Sequence, residues 1–161
     1  MPRWIVRLAV VPVVALAAIA TVFVVGMRTK NPAVVDRVRR FNRAVTNPRV
    51  LRSAGSPGAS ASVIRHVGRV SGRSYETPVG PFAVADEFVI ALPYGPGADW
   101  VRNVVAAGSA TLLHEGRTMA VERPEVVPTS EVLGALPTSE QRTLRLFGVD
   151  HCLRVRPAPT G

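Results

Sequence analysis

The sequence predicts an α+β protein, a small antiparallel β-barrel carried behind an apolar N-terminal helix. Three observations lead there. The twenty residues from Leu8 to Met27 contain no charge. Beyond residue 60, short β-favouring runs alternate with turn residues in the order strand, strand, strand, helix, strand, strand. Between the two lies a basic stretch with helical spacing. Hydrophobic residues make up 47% of the 161, enough for a core in one domain.

The apolar run comes first. A helix of about twenty residues spans roughly 30 Å of hydrocarbon. Pro12 and Gly26 are tolerated in a membrane helix, and Trp4 stands where an interfacial aromatic would. Ala18-Ile19-Ala20 resembles a signal-peptide cleavage site, but the apolar run continues through Val22, Phe23, Val24 and Val25, beyond the length of a signal core. The reading is a retained transmembrane helix. Arg3 and Arg7 flank it on one side. Arg28, Lys30, Arg37, Arg39, Arg40 and Arg43 flank it on the other, so the following domain is expected to face the cytoplasm from the inner (cytoplasmic) membrane.

Asn31-Pro32 then reads as a helix start, a capping side chain followed by proline at the first helical position. Val34, Val35, Val38, Phe41 and Val45 recur at helical spacing, and the arginines crowd the remaining face. The helix is expected to lie on anionic headgroups through that basic face or to dock its apolar stripe on the domain, and the two can hold together. Asn47-Pro48 is expected to stop it, and Ser53 to Ser60 (SAGSPGAS) to be a flexible linker.

Ala61 to Val67 alternates as a strand, with Val63 and His66 as partly buried positions. Thr77 to Val84 and Glu87 to Leu92 read as a hairpin split at Ala85-Asp86. Trp100, Val101, Val104 and Val105 give Asp99 to Ala107 helical spacing, closed by Gly108. Ser109 to His114 and Thr118 to Arg123 form a second strand pair around Glu115-Gly116. A mostly helical stretch runs from about Ser130 to Phe147, and His151 to Arg156 is the last strand.

Several classes are excluded. The net charge of +9 invites anionic partners, but there is little aromatic interleaving for nucleic acid, and an anchor accounts for much of the charge. Cys152 is the single cysteine, so no internal disulfide forms. His66, His114, His151 and Cys152 lack metal-ligand spacing, so no metal site is expected and the three histidines read as structural or surface residues. There is no Walker loop and no Rossmann glycine fingerprint.

Two stretches carry the chemistry. In HVGRVSGRSYETP, residues 66–78, Gly68 and Gly72 permit close backbone approach, and Arg69 and Arg73 offer forked donors for phosphate or carboxylate. Ser71, Ser74 and Thr77 add hydroxyls. The stretch is either a cradle for an anionic ligand tail or a solvated basic hairpin. In ALPYGPGADWVRN, residues 91–103, a strand ends in a rigid, low-bulk loop and a helix starts at Asp99, pointing its N-terminal dipole into that loop. Tyr94 and Trp100 could wall a flat ring there, or Trp100 could simply be core.

Together the patterns GRxSGxxYxTPV, ALPYGPxADWVRN and TLLHEGR resemble the deazaflavin-dependent nitroreductase family, actinobacterial split β-barrel oxidoreductases with the flavin-reductase or pyridoxamine-phosphate-oxidase-like fold. FNRAVTNP before them and LFGVDHCLRVR at the end are similar to one branch of that family, and the resemblance covers roughly Asn31 to Arg156. It implies a split β-barrel cofactor-binding domain over 61–161, behind a transmembrane anchor over 1–30 and a basic amphipathic helix and linker over 31–60.

The implied cofactor is coenzyme F-420, with FMN as the alternative. The hairpin residues implied to hold its anionic tail are Arg69, Ser71, Gly72, Arg73, Tyr75, Thr77 and Pro78. Those implied to lie along the deazaflavin are Pro93, Tyr94, Gly95, Trp100 and Asn103. The best-studied branch carries basic residues where this chain has Val70, Tyr75 and Tyr94, and residues 124–161 contain no tyrosine to act as a proton donor. That leaves the proton donor open; Tyr94, the nearest phenol to the implied ring site, is the candidate catalytic residue.

The implied activity is hydride transfer from reduced F-420 to a lipophilic acceptor, such as a quinone of the menaquinone kind or a nitro compound. The other readings are a non-catalytic barrel that binds F-420, another flavin-like cofactor or a lipid, and a membrane-surface protein without a ligand. Membrane lipids, the deazaflavin and a small-molecule acceptor are the expected partners, nucleic acid is not, and a homodimer is compatible with the resemblance.

Overall fold

In the computed structural model, residues 3–159 are described, with side chains described from Val14 onward. Helix α1 spans Arg3–Arg28 and turns sharply into α2, Pro32–Phe41. Asn31 caps α2 through its side-chain oxygen, which accepts from the backbone N–H groups of Ala33 and Val34. The bend is tight because Gly26 has no side chain: a Cβ there would stand 2.6 Å from Val34 Cγ2. Among the described residues no single helix is long and apolar enough to cross a membrane. A pair bent by 104°, Val14–Arg28 with Pro32–Val50, qualifies by length and composition alone. Part of the expected span, residues 8–13, lies outside the described side chains, as do Arg3, Trp4 and Arg7.

Asn47-Pro48 does not stop the helix. The chain passes through a π-helical turn, Asn42–Thr46, into α3, Asn47–Val50. Proline has no N–H to donate and its ring crowds the carbonyl four residues earlier. The wider turn relieves that crowding, with Asn47 N–H bonded to the Asn42 carbonyl, and Pro48 falls in the first turn of the resumed helix.

Nor is 53–60 a flexible linker. Ala54 and Gly55 are buried, Gly55 N–H donates to the Ala61 carbonyl at 2.7 Å, and Gly58 N–H donates to Glu115 Oε2 at 2.8 Å. Gly55 sits at φ +82°, and a Cβ on it would run into the Leu113 side chain. The stretch is a turn pinned to the barrel.

Seven strands form one antiparallel sheet: β1 Ser62–Val67, β2 Ser74–Val79, β3 Pro81–Val84, β4 Glu87–Ala91, β5 Ser109–His114, β6 Arg117–Pro128 and β7 His151–Pro157. Their order across the sheet is β2-β1-β5-β6-β7-β4-β3. The two edge strands, β2 and β3, are joined by Gly80 alone, so the sheet must curl to bring its edges together. The result is a curled antiparallel half-barrel. The single strand expected over 77–84 is thus two strands. Gly80-Pro81 breaks it, and the halves pair with β1 and β4 respectively.

β6 runs past the expected end at Arg123. A bulge between Glu122 and Glu125, with Arg123 at φ +51°, bends the strand so that its second half continues along β7.

Alternation divides the core in two. Ile64, Ile90, Leu112 and Leu153 point into the curl, where they meet Val101 and Val104 of α4, Asp99–Ala107. Val89, Val127 and Cys152 point outward under α5, Thr129–Val132, and α6, Thr138–Phe147, which supply Val132 and Leu144. The mostly helical stretch expected over 130–147 is thus divided, with Pro137 immediately before α6. The C-terminal end of α1 docks on α6: Arg28 Nη1 donates to the Arg145 carbonyl at 2.7 Å, and Phe23 meets Phe147 edge to face at 6.0 Å.

Candidate functional site

A cleft of about 810 Å³ opens between the sheet and the α2–π–α3 segment, which forms its roof. The hairpin β1–β2 supplies one wall. Its tip folds back on itself: Gly68 N–H donates to the Arg73 carbonyl at 2.8 Å and Gly72 N–H to the Gly68 carbonyl at 2.8 Å. Gly72 takes φ +65°, as a tight reversal requires. Gly68 is small for another reason, because a Cβ there would stand 2.5 Å from Ser71 Oγ and 2.7 Å from the Tyr75 ring. Those two side chains share a hydrogen bond of 3.0 Å.

The floor is a polar network that crosses four elements. Asn103, buried on α4, accepts from Arg69 N–H at 3.1 Å and from Arg69 Nη1 at 2.8 Å through the same oxygen. Its amide nitrogen donates to Nδ1 of buried His66 at 3.2 Å, and the other ring nitrogen of His66 then donates to Thr77 Oγ1 at 3.2 Å. Burial pushes the His66 pKa below its ordinary value, so the ring is neutral near pH 7, as this donor pattern requires. Tyr75 stacks on His66 at 5.8 Å between centroids.

Arg69 also reaches Asp99 at 3.3 Å, and Arg102 meets the same carboxylate at 2.9 Å. Desolvation works against ionisation of Asp99, but the hydrogen bonds from Arg69 and Arg102 outweigh it and hold the carboxyl below its usual range.

The far end is the loop after β4. Half-buried Trp100 packs against the inner core and also lines the cleft. Tyr94 accepts a hydrogen bond from Asn42 Nδ2 on the roof, and the Arg39 guanidinium lies 6.0 Å from its ring centroid. Burial pushes the Tyr94 phenol above its ordinary pKa.

Beyond this loop lies a second, mostly apolar cavity of about 600 Å³, walled by Phe23, Met27, Val38, Phe41 and Phe147. Asn42, Pro93 and Tyr94 border both spaces.

The structure therefore brings together, around one cleft, Arg69, Ser71, Tyr75, Thr77 and Pro78 from the hairpin and Pro93, Tyr94, Gly95, Trp100 and Asn103 from the loop and helix. Gly72 and Arg73 do not line it. His66 is the buried structural residue the sequence suggests, and it also lines the cleft, which the sequence does not show; nor does the sequence point to the roof residues Arg39, Asn42, Arg43 and Asn47. Their helical spacing was visible, but Arg39 and Arg43 turn to the cleft rather than outward. Among the described residues no group of His, Cys, Asp and Glu is placed to hold a metal ion.

No protein-family model matches the sequence, and no curated protein matches it. Among solved structures, the chain is similar to an F-420 reductase at 13% identity, over 67% of this chain and 92% of the other, with a TM-score of 0.42. It is also similar to a reductase dependent on F-420-H2, at 10% identity over 60% and 94% with a TM-score of 0.39. An FMN-binding protein from Syntrophomonas wolfei subsp. wolfei is similar at 13% identity over 76% and 92%, with a TM-score of 0.38. All three likenesses are distant.

Proposed function

We propose that the chain is an F-420-dependent oxidoreductase that passes a hydride to a lipophilic acceptor, a quinone or a nitro compound, from a membrane-anchored barrel facing the cytoplasm. The observation that carries this reading is the joining of the two sequence motifs around one cleft of about 810 Å³, within the usual size range for sites of small organic ligands. The donor set fits an elongated group with a flat ring and an anionic tail. Trp100 and Tyr94 offer aromatic walls, and Ser71, Tyr75 and Thr77 offer hydroxyls.

The reduced deazaflavin, when bound, supplies the hydride. The protein's part is to orient and to polarise. The Arg69–Asn103–His66–Thr77 network fixes the floor, so the ring walls need little reorganisation on binding. Tyr94 has its oxygen already accepting from Asn42, which leaves its proton free to donate to an acceptor carbonyl as negative charge develops there. The apolar cavity that shares Tyr94 with the cleft favours an acceptor with a greasy chain. The uncharged run 8–27 would bring the domain to such a molecule. Protease added outside intact cells should then leave the barrel uncut, and digestion there would overturn the orientation.

The test of the activity is anaerobic mixing of the full-length protein with reduced F-420 and a menaquinone analogue, followed by deazaflavin absorbance. Acceptor-dependent reoxidation supports the reading. F-420 binding without turnover identifies a carrier or sensor instead.

A further inference from the structure

The hairpin is the expected source of positive charge in the cleft, yet its two arginines are poorly placed to supply it. Arg69 is committed to Asn103 at 2.8 Å and to Asp99 at 3.3 Å. Arg73 does not line the cleft. Glu76, which does, is paired with Arg65 at 2.8 Å. The roof offers a different pair. Arg39 and Arg43, one helical turn apart, both line the cleft. The nearest carboxylate oxygen to Arg39, on Asp36, is 3.9 Å away, the outer limit of an ion pair, and Arg43 makes no ion pair among the described residues. The π turn bonds Asn47 N–H to the Asn42 carbonyl, and Asn42 and Asn47 both line the cleft and add amide donors. The Asn42–Tyr94 hydrogen bond and the Arg39 contact with the Tyr94 ring tie this face to the barrel.

From this arrangement we infer that Arg39 and Arg43 form an anion subsite in the roof, which receives a phosphate or carboxylate group of the ligand. Two forked guanidinium groups, neither committed to a close carboxylate, suit such an oxyanion through paired hydrogen bonds. The inference rests on the cofactor reading only for the identity of the ligand that carries the anion.

Calorimetric titration of the full-length protein separates the two. The probes are inorganic pyrophosphate, F-420, and the deazaflavin ring system without its phosphate-bearing tail. Affinity for pyrophosphate and for F-420 is expected to fall about tenfold or more in the Arg39→Gln/Arg43→Gln variant. It should recover substantially in Arg39→Lys/Arg43→Lys and stay level in Arg40→Gln, whose exposed side chain does not line the cleft. Affinity for the tail-less ring should not change. Thermal melting checks that the double variant is folded. If it is not, Arg43→Gln alone gives the same reading, because Arg43 has no side-chain hydrogen bond or ion pair to lose among the described residues.

Pyrophosphate binding that needs the roof arginines, without any F-420 binding, keeps the subsite and discards the cofactor. The subsite is overturned if the wild type binds neither anion, if Arg73→Gln rather than the roof variant weakens binding, or if F-420 and the tail-less ring weaken equally.

Discussion

Asn42 donates a hydrogen bond to the phenolic oxygen of Tyr94, joining the helical roof to the loop that follows β4. The bond crosses from the N-terminal segment to the barrel, and it fixes which way the Tyr94 hydroxyl can act. An oxygen that accepts from Asn42 presents its own proton elsewhere. Burial raises the phenol pKa, so that proton is retained at neutral pH.

Tyr94→Phe keeps the ring and removes the donor. On the proposed function, hydride transfer to a quinone analogue is expected to slow about tenfold or more, with F-420 affinity within about twofold, because the proposed Tyr94–acceptor bond would strengthen as charge develops on the acceptor. Stopped-flow oxidation of bound reduced F-420 reads the rate directly. An unchanged rate would leave Tyr94 as a wall of the cleft only.

Asn103→Leu should destabilise the fold by about 1–3 kcal/mol, chiefly because it strands a polar atom on buried His66, and it also removes the part-buried acceptor of Arg69. Urea unfolding of the full-length variant measures this. Asn103→Asp would retain an acceptor for Arg69 but lose the donor to His66, so it should recover part of the loss.

His66 gives the fold a pH dependence with a definite sign. Its folded pKa is lowered by burial from an ordinary value of 6.5. As pH falls below about 6.5, the unfolded chain takes up the proton before the folded chain does, so stability should decline towards acid until the folded pKa is passed. His66→Gln should flatten that part of the profile. A melting temperature that rises as pH falls from 7 to 5 in the wild type, and not in the variant, would contradict the sign.

Cys152 is fully buried on the outer face of β7, 3.6 Å from Thr129 Oγ1, and burial pushes its thiol pKa up. It should react with a thiol reagent only at the rate of opening of the fold. Rapid labelling of native protein would place Cys152 nearer the surface than the packing of α5 against β7 allows.

The legible parts of the molecule were those written in local sequence. Helix α4 and its Gly108 cap follow from the spacing of Trp100, Val101, Val104 and Val105, and the β3–β4 turn follows from Ala85-Asp86. The β2–β3 boundary was not legible because Gly80-Pro81 sits in a run that otherwise favours strand. Its meaning, a jump from one sheet edge to the other, is a property of the whole sheet.

The site divides in the same way. Hairpin and loop residues could be named from motif and chemistry. The roof could not, because Asn47-Pro48 reads as a stop and a π turn leaves no pattern of its own. His66 showed as partly buried by alternation, but its partners Thr77 and Asn103 come from other elements, and only the fold brings them to it.

The central claim is that this cleft holds F-420, and equilibrium titration of the full-length protein with F-420 tests it most directly. The expected result is saturable binding of one F-420 per chain that weakens when Trp100 is replaced by leucine in a variant with an unchanged fold. No saturable F-420 binding, or binding indifferent to Trp100, would contradict it.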